Sequence, residues 1–188
     1  MSDHNKCLRF RERAKRNPRV QHVLAAIEGL GCQTGTYEDL VACVSKDSQP
    51  GLALSGGFSP HVDQEGPYAP KILMVEEHNA DQATFDRTLI HELVHAYDQC
   101  RANVDWRDPR HLACAEVRAS NLSGECEFIQ EINRGKFGIV NHNQACVRRR
   151  AALSVTLGHG TTQDLAARVV DSVYDRCYHD KTPFDQDK

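Results

Sequence analysis

The sequence contains no CxxC pair, no internal repeat, no low-complexity tract and no large excess of charge of either sign. Each absence removes a class of protein. Without a CxxC pair, a zinc ribbon or a thioredoxin-like redox motif is not expected. No apolar run approaches the ~20 residues that a membrane-spanning helix needs, so a transmembrane helix is not expected either. The N-terminal stretch MSDHNKCLRFRERAKRNPRV is charged but has no apolar core segment, so it does not read as a secretory signal. Asp3 and Glu12 within it make a poor matrix-targeting peptide, and no conventional export address is expected. The formal net charge is −3, from 23 Lys and Arg against 26 Asp and Glu. That balance argues against nucleic acid, or an anionic membrane, as the obligatory partner of the whole molecule.

What is present fits one soluble domain. A chain of 188 residues can bury a core unaided, and residues 1–188 read as a single domain with a basic N-terminal segment, 1–19. Lys6, Arg9, Arg11, Arg13, Lys15, Arg16 and Arg19 face a single Glu12 between residues 6 and 19, and Arg148, Arg149 and Arg150 form a second cluster. Such clusters are either solvated helix faces or electrostatic footholds on a phospholipid surface. Eight cysteines (7, 32, 43, 100, 114, 126, 146 and 177) spread along the chain. They fit several long-range disulfides or a set of buried thiols.

The pattern of elements is mostly helical with a small sheet, an α+β layout. Val20, Val23, Leu24 and Ile27 recur at helical spacing, and the first thirty residues read as a helix ended by Gly29 and Gly31. Residues 45–70 are rich in Gly, Pro and Ser. Within them LALSGGFS reads as a short strand or loop whose two glycines permit close backbone approach. KILMV (71–75) is the best strand candidate, and as an edge it would offer an extended peptide a place to add. Asp81 or Thr84 is placed to cap the next helix. Pro109 sets the start of another helix running to about residue 132, with GKFG breaking it. Two more helices are expected at about 143–157 and 162–178, separated by TLGHGTT.

The chemistry lies in LIHELVHAYDQCR, residues 89–101. Side chains four apart on a helix share a face, so His91 and His95 project together and can share one cation. Glu92 lies roughly 100° round from His91, able to address a ligand of the metal without binding it. This is the HExxH arrangement of a zinc hydrolase, with neutral imidazoles as ligands and the glutamate as general base. Two histidines do not close a site. Glu116, on a second helical segment HLACAEVRASNLSGEC, completes a His₂Glu set with an open position for water, and His111 is the alternative third ligand. Asp98, a turn beyond His95, is better placed as a carboxylate supporting the ligands, or as a partner of Arg118, than as a ligand. In such a site zinc acts as Lewis acid, and Glu92 takes a proton from water attacking a peptide carbonyl and returns it to the leaving nitrogen. A donor for the oxyanion is also required, and His142, Gln144 and Tyr97 are the candidates.

These residues carry a resemblance. HELVHAYDQCR, then VDWRDPRHLACAEVRASNLSGEC, then Cys146 in QACVRRRA are similar to the mitochondrial inner-membrane metalloprotease family that assists ATP synthase assembly, whose animal members are also described as Ku-binding proteins. The similarity runs from about Cys7 to Phe184. It implies a zincin-like, disulfide-stapled metallopeptidase fold with His91 and His95 as zinc ligands and Glu92 as catalytic residue, and it is compatible with Glu116 as third ligand. It also implies the mitochondrial intermembrane space, peripheral to the inner membrane, with the cysteines oxidised there. The implied substrate is an ATP synthase subunit propeptide. The alternative is a non-proteolytic assembly chaperone with a structural or dispensable metal site. Relatives in that family carry two further cysteines, one near Cys43 and one where Val75 stands, which implies a lost disulfide and four bridges among the remaining eight.

Overall fold

The computed structural model describes residues 2–48, 55–60, 70–102, 104–136 and 141–184. They divide into two compact units, residues 1–101 and 102–188.

The first unit begins with two helices where the hydrophobic spacing suggested one. α1 spans Asp3–Ala14 and α2 spans Pro18–Gly29. The break follows from Pro18, which cannot continue a helix but is well suited to start one. Asn17 caps α2, its side chain accepting from the Arg19 amide at 2.9 Å. A single turn, α3 (Tyr37–Leu40), carries a capping box between Thr36 and Asp39 and feeds β1 (Val41–Val44). β2 (Gly56–Ser59) and β3 (Lys71–Val75) complete a three-stranded sheet in the order β1-β3-β2. β1 runs parallel to β3, and β2 antiparallel to it. KILMV is therefore the central strand rather than an edge. Its burial explains this: Ile72, Met74 and Val75 are all fully buried, as a strand flanked on both sides requires. The edge next to the following helix is GGFS.

α4 (Gln82–Ala102) is the longest element of the fold. Asp81 caps it, accepting from the Thr84 amide at 2.7 Å, and that hydrogen bond holds the Asp81 carboxyl below its usual range. Three attachments within the unit hold the helix. The Phe85 ring lies 5.9 Å from that of Phe10 on α1. Gln82 donates to the Phe10 carbonyl at 3.0 Å, and Asn17 donates to Asp86 at 3.0 Å. The Cys32–Cys100 disulfide ties the far end of α4 to the segment after α2, while Cys7–Cys43 ties α1 to β1.

The second unit is helical. α5 (Pro109–Leu122) starts where Pro109 sets it, with Asp108 as cap. It ends earlier than the sequence pattern suggests, because Gly124 takes a left-handed φ of 87° and turns the chain into the short α6 (Phe128–Asn133). The GKFG stretch lies partly outside the described residues. α7 (His142–His159) and α8 (Gln163–His179) are joined through Gly160, which ends α7 in the left-handed region at φ 59°. α5, α7 and α8 pack together on Ala113, Val117, Val147, Ala151, Val155, Ala166, Val170 and Tyr174. Cys114–Cys177 fastens α5 to α8, and Cys126–Cys146 fastens the α5–α6 connection to α7. Arg118, only 1% exposed, donates to the Asp180 and Thr182 carbonyls at 2.5 Å each and pairs with the Asp180 carboxylate at 2.6 Å. All eight cysteines are thus accounted for as disulfides.

The arginine cluster of α7 is paired with carboxylates of its own unit. Arg148 pairs with Asp171 and lies 3.4 Å from the Tyr174 ring centre. Arg149 reaches Glu131 at 2.9 Å, and Arg150 reaches Glu125 at 2.6 Å. Burial alone would push the Glu131 carboxyl up, but hydrogen bonds from Arg149 and Arg134 outweigh it and hold the group below the usual carboxylate range. A carboxylate shifted down on folding stabilises the fold above its unfolded pKa and loses that contribution as pH falls through its folded value. The melting temperature of the native chain should therefore drop on acidification below about pH 4.3 more steeply than that of Glu131→Gln, which starts lower at neutral pH. Thermal melts of both proteins from neutral pH to about pH 3 check this, and parallel curves would refute it.

Candidate metal centre

α4 builds the centre of this site because its sequence alternates two demands at helical spacing. Leu89, Ile90, Leu93 and Val94 are buried and bind the helix into its unit. Between them, His91 and His95 stand one turn apart on a common face, their rings 4.8 Å apart and nearly perpendicular. His91 is half-buried, whereas Glu92 and His95 are 6% and 4% exposed. Imidazole nitrogens one turn apart suit a divalent transition metal such as zinc, which a carboxylate and a water would complete. Glu116, the carboxylate singled out in the sequence, is 8% exposed on α5 of the second unit.

The other residues singled out in the sequence have identifiable surroundings. Asp98 is 3% exposed and accepts from Arg101 at 2.9 Å. Tyr97 is buried, with the Arg101 guanidinium 5.5 Å from its ring centre. His142 opens α7 with its ring edge-on to Phe128 at 5.0 Å, and the Gln144 carbonyl accepts from the Tyr174 hydroxyl at 3.5 Å. His111 is exposed, its Nδ1 accepting from the Asp105 amide at 3.1 Å. Cys100, adjacent in sequence to the histidine pair, is occupied by its disulfide to Cys32.

Two neighbours of the histidine helix had only a weak signature in the sequence. Phe58 on β2 brings its ring to 6.4 Å from that of His95. Gly56 begins β2 where the strand crosses α4, and a Cβ there would meet Thr88 Cγ2 at 2.7 Å, the Leu73 carbonyl at 3.2 Å and Glu92 Cγ at 3.4 Å. The close backbone approach expected of LALSGGFS is thus made by Gly56, against the helical turn that carries Glu92. A methyl group at this point overpacks the strand–helix contact. Gly56→Ala should cost about 1–3 kcal/mol of stability, and adding Thr88→Ser, which deletes the atom nearest the clash, should restore most of it. Denaturant melts of the single and double variants check this. Equal loss in both would show that Thr88 is not the obstructing group.

The profile of the peptidase M76 family matches residues 5–185. A mitochondrial inner membrane protease ATP23 homolog from Homo sapiens is 37% identical over 185 residues, covering 97% of this chain and 70% of the human protein. The homolog from Danio rerio is 40% identical over 169 residues, 89% of this chain and 62% of its own length. Mitochondrial inner membrane protease ATP23 of Kluyveromyces lactis is 44% identical over 138 residues, covering 70% of this chain and 52% of the fungal protein. The chain therefore spans from about half to about seven tenths of the length of these relatives. No solved structure matches it.

Proposed function

Because the chain belongs to the peptidase M76 family, we propose that it is a zinc-dependent endopeptidase of zincin-like fold that cleaves a protein substrate at the mitochondrial inner membrane. The observation that carries this reading is the pair of His91 and His95 on one face of α4, next to a buried Glu92. His91, His95 and Glu116 are the residues that would hold the metal. Bound zinc supplies a Lewis acid for the scissile carbonyl and acidifies water toward a pKa of ~7.

The remaining steps belong to the protein's own side chains. Glu92 follows His91 directly and is turned about 100° from it around the helix, so it addresses the attacking water rather than the metal. Its carboxylate removes a proton as the water oxygen bonds to the peptide carbon. The same proton then passes to the amide nitrogen as the C–N bond breaks, which regenerates the carboxylate. Asp98 supports the histidine helix from the turn beyond His95, and Tyr97 and His142 are the candidates for donating to the carbonyl oxygen as it gains charge. The substrate lies along β2. Among the described residues that strand ends the sheet order, with Phe58 beside His95, and strand addition would place an extended peptide there.

The four disulfides support an oxidising compartment, and the intermembrane space is the mitochondrial one that combines oxidation with access to the inner membrane. Among the described residues no helix is long and apolar enough to cross a membrane, in keeping with a peripheral position. The resemblance in residues 89–126 supports an ATP synthase subunit propeptide as substrate.

The test is a set of three substitutions read by two assays. Glu92→Gln should keep bound zinc and lose cleavage by a factor of about 10²–10⁴. His95→Ala and Glu116→Gln should lose zinc together with cleavage, measured by metal analysis of the purified proteins. If Glu92→Gln retains both zinc and cleavage, the proposed mechanism is wrong. If neither native protein nor Glu92→Gln cleaves but both restore ATP synthase assembly, the protein is an assembly chaperone.

A further inference from the structure

The sequence contains two basic clusters, and the structure treats them oppositely. Arg148, Arg149 and Arg150 are each neutralised by a carboxylate of the same unit. On α1 the acidic partners are few and already engaged: Glu12 meets Arg11 at 3.8 Å and Lys15 at 3.1 Å, and Lys15 also pairs with Glu38. Arg9, Arg13 and Arg16 are exposed, and none has an ion-pair partner among the described residues. Arg9 and Arg13 lie about 40° apart round α1, and Arg16 follows in the turn that ends it. The opposite side of α1, with Cys7, Phe10 and Ala14, is buried. Lys6 extends the positive face, its ammonium 5.7 Å from the Phe10 ring centre.

We propose that this face of α1 docks on anionic phospholipid headgroups. The inference rests on the placement at the inner membrane argued above. Guanidinium forks bind phosphate oxygens in pairs, and a cluster of them on one helix and the turn after it matches the dense phosphates of a bilayer better than the scattered carboxylates of a protein surface. No large apolar side chain is exposed on α1, so the contact is electrostatic and lies in the headgroup layer rather than inserting into the hydrocarbon. α1 is also fixed to α4 through the Gln82–Phe10 hydrogen bond and the Phe10–Phe85 contact. Docking α1 therefore sets the position of the helix bearing His91, Glu92 and His95 relative to the lipid surface.

The test is co-flotation of the full chain with vesicles of phosphatidylcholine alone or of phosphatidylcholine with cardiolipin, at low and high salt. The native protein should float only with the anionic vesicles, and only at low salt. Replacing Arg9, Arg13 and Arg16 together by Gln should weaken binding by about a hundredfold. The control removes the same charge elsewhere, with Arg107, Arg168 and Arg176 replaced by Gln, and should keep most of the binding. Circular dichroism melts confirm that both triple variants are folded. Absence of vesicle binding by the native chain overturns the proposal and leaves the face to an acidic protein partner. Equal loss in both triple variants, or none in the first, overturns it as well. Cleavage of a soluble peptide by the first variant should be unchanged, so the lipid result and the peptidase result stand or fall separately.

Discussion

The structure turns on the burial of ionisable side chains along one helix. Within seven residues of α4, Glu92, His95 and Asp98 are each less than 7% exposed. Removing such groups from water costs several kcal/mol apiece unless charge or hydrogen bonding compensates. Asp98 has the Arg101 guanidinium, and His91 and His95, one turn apart, offer their imidazole nitrogens to a cation. A helix carrying that load has to be held from outside, by apolar packing and covalent ties that do not depend on the site being filled. Phe10 against Phe85, the cap at Asp81 and the Cys32–Cys100 bridge do this at the two ends, and β2 does it between them.

The four disulfides follow the same logic. Each joins elements of its own unit, and the residues they span range from 20 to 68. Closing loops of that length removes roughly 3–4 kcal/mol of chain entropy apiece from the unfolded state in the simplest account. A chain that buries Arg118, Glu125 and Glu131 gains from such ties, and each of these three has an opposite charge at hand.

Legibility in the sequence depended on how local the determining physics was. The histidine pair and Glu92 are legible because a 3.6-residue period alone puts them on neighbouring faces. The strand KILMV is legible from its apolar run, and the start of α5 from Pro109. Two breaks were misplaced although their signals are local: Pro18 splits the first helix and Gly124 ends α5, each within an apolar periodicity that continues across the break. The edge assignment of KILMV failed for another reason. Which of three short strands lies in the middle depends on pairings with residues about fifteen and thirty positions away, and no single strand's pattern carries that.

The sequence by itself determined the chemistry at hand: which side chains can bind a metal, which can move a proton, and how many cysteines are available to bridge. These are properties of residue types at short spacing. Only the tertiary structure decided which cysteines pair and that Gly56 brings β2 against Glu92. It alone separated two similar runs of arginine, one spent on Glu125, Glu131 and Asp171 and the other left facing outward on α1. Charge reads identically along a chain whether or not it is neutralised. Neutralisation is decided by distance in space, and distance in space exists only once the chain has folded.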